Sequence, residues 1–122
     1  MTEVASHSGI DLNVLAGLES RLGRTSMVGL VTAHLRHSEV VCDRLLAMTA
    51  AIDRKELHAI GHQIVGSCGS IGLVALSQLG GTLEDEARQA PVEALRAIID
   101  ATLNACREAQ SVLRARYPEV AA

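Results

Sequence analysis

The twenty residues DRKELHAIGHQIVGSCGSIG, positions 53–72, decide how this 122-residue chain is read. Asp53, with Glu56 three residues on, is a variant of the capping box. That pattern opens a helix by satisfying backbone N–H groups of the first turn. Gly72 is the expected stop, so the spacing predicts a helix from about Arg54 to Ile71. Turn each residue by about 100° and set His62 at zero; Leu57, Ile60, Ile64 and Ile71 then fall within about 40° of the opposite side. They form a core stripe. His62 sits at the centre of the solvent-facing side, among Lys55, His58, Val65, Gly66 and Gly69.

That outer face is unusual. A solvated helix face is normally lined with Glu and Lys, but this one carries an imidazole, a small hydrophobe and two glycines. A glycine in a helix interior costs about 1 kcal/mol relative to alanine. Side chains on a helix lean toward its N-terminus, so any side chain at position 66 would lean over His62. Glycine there leaves the imidazole open to something large. Neutral imidazole is a good nucleophile near neutral pH. An uncluttered one suits in-line phosphoryl transfer, where positioning matters most.

Working outward, the same periodicity recurs. Asp11 is expected to cap a first helix carrying Leu12, Leu15, Leu18 and Leu22, with Gly23 as its stop. A second helix is expected from Thr25 or Ser26 to about Ala51. A fourth runs from Val74 to about Gln89 on Leu76, Leu79, Leu83 and Ala87, and a fifth opens at Pro91 and ends before Pro118. Short links make neighbouring helices antiparallel. The expected fold is all-α: an up-and-down antiparallel four-helix bundle with an additional N-terminal helix. Residues 1–10 are expected to be a flexible tail and 11–122 a single domain.

Composition agrees. Hydrophobic residues make up 48 %, there is no Phe or Trp, and Tyr117 is the only aromatic residue. Such a core is built from Leu, Ile, Val, Ala and Met, which suits helix-on-helix packing better than strands. The net charge of −3 offers no basic face for nucleic acid. Apolar runs are too short for a bilayer, and the first residues lack the order of a signal peptide. Cys42, Cys68 and Cys106 lie far apart within apolar patterns, so they are expected as reduced core thiols of a cytoplasmic protein.

The run Gly61-His62-Gln63-Ile64-Val65-Gly66-Ser67-Cys68-Gly69-Ser70-Ile71-Gly72-Leu73 resembles the signature of histidine-containing phosphotransfer (HPt) domains, roughly A-H-x-L-K-G-S-x-x-x-L-G. His62, Ile64, Gly66, Ser67, Ile71 and Gly72 match by identity or close substitution. Leu76, Leu79 and Leu83-Glu84 fit the family's following L…L…LE run. The motif detail covers about residues 57–84. The resemblance implies a phosphorelay intermediate in a two-component system. His62 would be phosphorylated by a receiver-domain aspartyl phosphate and pass the group to another receiver. His58, Gln63, Val65, Gly66 and Gly69 would be docking or supporting residues. The implied partners are response-regulator receivers and a hybrid sensor histidine kinase. No autonomous kinase or hydrolase activity and no cofactor are implied, Mg²⁺ belonging to the receiver.

One departure stands out. The family usually has Lys three residues after the histidine, where this chain has Val65. The single lysine, Lys55, lies about 10 Å back along the axis, and an arginine of a neighbouring helix, such as Arg88, is the other candidate cation. Two alternatives accompany the phosphotransfer expectation. One is a degenerate HPt-like docking or scaffold bundle that is not phosphorylated. The other is a metal-binding bundle using His58 and His62 at i, i+4, or His34 and His37 at i, i+3. The outward direction of the His58/His62 face weighs against it. Ser67 and Gly80-Gly81 are expected to serve packing, and Glu84 to Glu86 to form a solvated acidic turn.

Overall fold

The computed structural model describes residues 6–7, 9–48 and 50–120. Five helices carry the fold: α1 (Leu12–Leu22), α2 (Arg24–Leu46), α3 (Arg54–Cys68), α4 (Val74–Glu86) and α5 (Val92–Arg116). Short 3-10 turns cover Gly69–Ile71 and Pro118–Val120. The four helices α2 to α5 pack as an up-and-down bundle, with α3 lying along α4 and α5 closing against both α4 and α2. Antiparallel order shows in the cross-contacts. Gly61 faces Gly80 and Glu84 while Gly69 faces Ser77. Gln110 on α5 bonds Ser38 on α2, and Arg24 reaches the carbonyl of Arg116. Helix α1 is the additional N-terminal helix, packed on α2.

The helix starts follow the local signals. The Asp11 carboxylate accepts from the Asn13 N–H, and that of Asp53 accepts from the Glu56 N–H. The end of α3 is a Schellman motif. The Leu73 N–H reaches the Cys68 carbonyl at 3.1 Å, and the Gly72 N–H reaches that of Gly69 at 3.3 Å. Gly72 adopts φ +81°, and a Cβ there would lie 2.6 Å from the Asp11 carbonyl, so two separate constraints demand glycine.

Three α-helix ends fall short of expectation: α3 stops at Cys68 and finishes as the 3-10 turn Gly69–Ile71 rather than running as α-helix to Ile71, and α2 and α4 end early as well. Helix α2 stops at Leu46 rather than near Ala51, although no Gly or Pro interrupts the sequence there. Tertiary packing sets this end: Met48 turns inward with Leu45, beside Ile99 and Leu103 of α5. Helix α4 stops at Glu86 rather than Gln89. Ala87 and Ala90 are buried in the turn that follows. The Arg54 guanidinium donates to their carbonyls at 3.2 and 2.7 Å, satisfying groups that a longer helix would have bonded itself.

The tail expected over residues 1–10 lies largely outside the described residues, and its described end differs from expectation. Ser6–His7 pairs antiparallel with Ile10–Asp11, and Ile10 is only 2 % exposed. The Gly9 carbonyl accepts from the Ala75 N–H, and the Asp11 N–H donates to Gly72. This segment is therefore anchored on the corner between α3 and α4. No helix among the described residues is long and apolar enough to cross a membrane.

The core is aliphatic, with Leu57, Ile60, Ile64 and Ile71 of the expected stripe all in it, together with three free, buried cysteines. Tyr117 is buried as well, its hydroxyl donating to Glu19 and its ring covered by the Arg24 guanidinium at 4.6 Å. One imidazole also stands inside. His34 is 8 % exposed, and burial, reinforced by the neighbouring His37, lowers its pKa to about 4. Between that value and the ordinary value near 6.5 the unfolded chain binds more protons than the folded one, so stability falls as pH drops through this window. The loss attributable to His34 is about 3 kcal/mol. Urea unfolding at pH 7 and pH 4.5 should therefore show a smaller difference for His34→Leu than for the native chain. An equal difference would remove His34 as the cause.

Candidate functional site

Helices α3 and α4 touch backbone to backbone. A Cβ on Gly61 would lie 2.5 Å from the Gly80 carbonyl and 2.6 Å from the Glu84 nitrogen, and one on Gly80 would lie 2.6 Å from Ile64 Cγ2. Gly80 thus serves the packing role expected of it. This approach brings position 84 alongside position 62.

His62 stands on the outer face, its side chain 75 % exposed. Its Nδ1 is 2.8 Å from Glu84 Oε2. An ionised carboxylate only accepts, so Nδ1 carries the proton and the ring lone pair lies on Nε2. Nε2 makes no hydrogen bond among the described residues. Glu84 is half-buried, unlike the solvated acidic residue expected from its neighbours Asp85 and Glu86. Sequence reasoning missed it because helical periodicity describes one helix at a time. Its only signal was its place at the end of the Leu83-Glu84 pair.

The residues expected around His62 divide into two groups. Val65 (39 % exposed), Gly66 and Gly69 remain on the open face. Val65 lies over Gly81 of α4, and the space at Gly66 is empty to 4 Å. His58 and Gln63 are engaged instead. His58 is half-buried and donates from Nδ1 to the Glu84 backbone carbonyl at 3.0 Å, so it supports the histidine's partner rather than facing outward. Gln63 accepts from Arg44 of α2 at 2.8 Å, while Arg44 also binds Glu56 at 2.6 Å. Among the described residues no cation is hydrogen-bonded or ion-paired to His62, and Lys55 and Arg88 are both exposed. Ser67 is half-buried beside Cys68. Among the described residues no three His, Cys, Asp or Glu side chains are placed to share a metal ion. His34 and His37 line a narrow apolar space with Cys68 and Cys106.

Gly66 offers a test of the open face. Gly66→Ala adds a methyl that meets nothing, so helix propensity alone should raise stability by about 1 kcal/mol. The same methyl leans toward His62 and should slow any reaction there. Thermal melting and a phosphoryl-transfer assay run side by side check both halves.

Comparison with known proteins fits this geometry. No curated protein matches the sequence. Among solved structures, the crystal structure of histidine-containing phosphotransfer protein B (HptB) from Pseudomonas aeruginosa PAO1 superposes with a TM-score of 0.81 at 22 % identity, covering 93 % of this chain and 98 % of that one. At that identity the likeness concerns the fold. The sequence itself matches the family model of the Hpt domain over residues 27–118, which takes in α2 from its fourth residue through the end of α5 and includes His62 and Glu84. With a match over well more than half its length, the chain belongs to the Hpt domain family, the histidine phosphotransfer modules of phosphorelays.

Proposed function

We propose that His62 accepts a phosphoryl group from the aspartyl phosphate of a response-regulator receiver domain and passes it to a second receiver. The observation that carries this is the state of the His62 ring: largely exposed, with Nδ1 held by Glu84, Nε2 without a partner among the described residues, and open space at Gly66 one turn on. The Nε2 lone pair attacks phosphorus in line, and the acyl phosphate P–O bond breaks. Its electron pair leaves with the receiver's carboxylate. The ring becomes an imidazolium that keeps its Nδ1 proton, and the Glu84 carboxylate 2.8 Å away stabilises that charge. Onward transfer reverses the step against an unphosphorylated receiver. Mg²⁺ is expected on the receiver, and the original phosphoryl donor is a hybrid sensor histidine kinase, so the module works in the cytoplasm. Kinase or hydrolase activity of its own forms no part of the proposal.

The test is transfer from a phosphorylated receiver. An acid-labile, base-stable label recovered in the peptide bearing His62 supports the proposal. Absence of label across several receivers would favour a docking bundle that is not phosphorylated. Glu84→Gln separates charge from geometry, because its amide oxygen can still accept from Nδ1 but carries no charge. A charge-assisted hydrogen bond is worth roughly twice a neutral one, so this variant should transfer about tenfold more slowly. Stopped-flow measurement against one receiver would read the difference, and an unchanged rate would leave Glu84 with packing alone.

A further inference from the structure

Transfer to Nε2 would place a phosphoryl dianion near the Glu84 carboxylate, and position 65 offers only a valine. This crowding of like charge calls for a cation from elsewhere in the fold, and the cations of α2 to α4 near the site are few. Arg54 is committed to the Ala87 and Ala90 carbonyls. Arg44 is committed to Glu56 and Gln63, on the flank facing α2. Lys55 lies two turns before His62, and its side chain leans further away. Arg88 is different. It follows Glu84 by four residues, about one helical turn, and Ala87 between them still has α-helical angles, so the two side chains share a face. It is exposed and has no hydrogen bond or ion pair among the described residues.

Direction matters as much as availability. His58 on α3 bonds the carbonyl of Glu84, so α4 continues from Glu84 toward the N-terminal end of α3. That is also the way the His62 side chain leans. Arg88 therefore lies on the side toward which a phosphoryl group on His62 would project. Glu followed four residues later by Arg is also the favourable order for a helix ion pair, although Glu84 is bonded to His62 and no ion pair joins it to Arg88 in the structure.

We propose that Arg88 closes over the phosphoryl group on His62, supplying from the turn that follows α4 the positive charge that position 65 lacks. Its planar fork can hold two phosphoryl oxygens at once. The proposal rests on His62 being the phosphorylated residue.

The experiment phosphorylates the full chain with phosphoramidate, a small donor that needs no partner. Its P–N bond breaks, ammonia leaves, and the new P–N bond forms at His62 Nε2. The ³¹P resonance is then followed against pH. A nearby cation disfavours protonation of the phosphohistidine, so Arg88→Ala should move the titration midpoint up by about half a unit. Arg88→Lys should move it less, and adding Val65→Lys to Arg88→Ala should bring it back down. A purely structural Arg88 would not be rescued from position 65. A midpoint unchanged in Arg88→Ala, or unmoved by Val65→Lys, overturns the role of Arg88 and leaves His62 as the carrier. A native chain that takes no label at His62 overturns the carrier function and the Arg88 proposal together.

Discussion

A His62→Gln chain is expected to accept no phosphoryl group from any receiver while keeping the native melting temperature to within a few degrees. Glutamine is a good helix former, and its amide nitrogen is not a nucleophile. The position is exposed, and the native ring makes one hydrogen bond, to Glu84. Surface changes of this kind usually cost less than about 0.5 kcal/mol. Loss of labelling without loss of fold would thus assign the chemistry to one nitrogen. His58 is the internal control. Its Nδ1 is spent on the Glu84 carbonyl and its ring is half-buried, so His58→Gln should still be labelled. Label that persists in His62→Gln and disappears in His58→Gln would move the site one turn toward the start of α3.

Gly61→Val should be the most damaging single change to stability near the site. The first added carbon would lie 2.5 Å from one backbone atom and 2.6 Å from another, and 3.0 Å from Leu83 Cβ. Backbone on α4 cannot swing aside as a long side chain could, so α3 and α4 must part. Overpacking of this kind costs about 1–3 kcal/mol and sometimes more. Replacing glycine within a helix returns less than about 1 kcal/mol, and a β-branched residue returns less than alanine. A net loss of about 2 kcal/mol should lower the melting temperature on the order of 10 °C for a chain of this size. The same separation pulls Glu84 from His62, so transfer should also slow at temperatures where the variant is folded. A native melting curve for Gly61→Val would mean that the helices are not in backbone contact. Gly66→Ala, five residues on, is expected to do the opposite to stability, since its methyl meets open space. The contrast between two glycines of one helix distinguishes packing from access.

Much of this was legible in the residues. Asp11 and Asp53 mark helix starts that the structure uses, because capping depends on a side chain and the backbone a few residues away, and Pro91 marks a third with no side-chain cap, through its fixed φ. The stripe of Leu57, Ile60, Ile64 and Ile71 placed His62 outward through helical geometry alone. The ends of α2 and α4 were not legible. Met48 and Ala90 stop being helical because of what they pack against, and Arg54 contributes from another helix. Nor was the burial of Ile10, a single apolar residue in a polar stretch, where no period can form.

The sequence alone therefore determined the helices, their order, the outward histidine and the bare glycine face, since all of these follow from spacings within one segment. Only the tertiary structure decided what His62 touches. The contact of Gly61 with Gly80 depends on two helices approaching until their backbones meet. That approach turned Glu84 from one acid among three into the partner of Nδ1, and drew His58 inward behind it. Such pairings join residues more than twenty positions apart, and their distance is set by packing between helices, which no period along a single helix encodes.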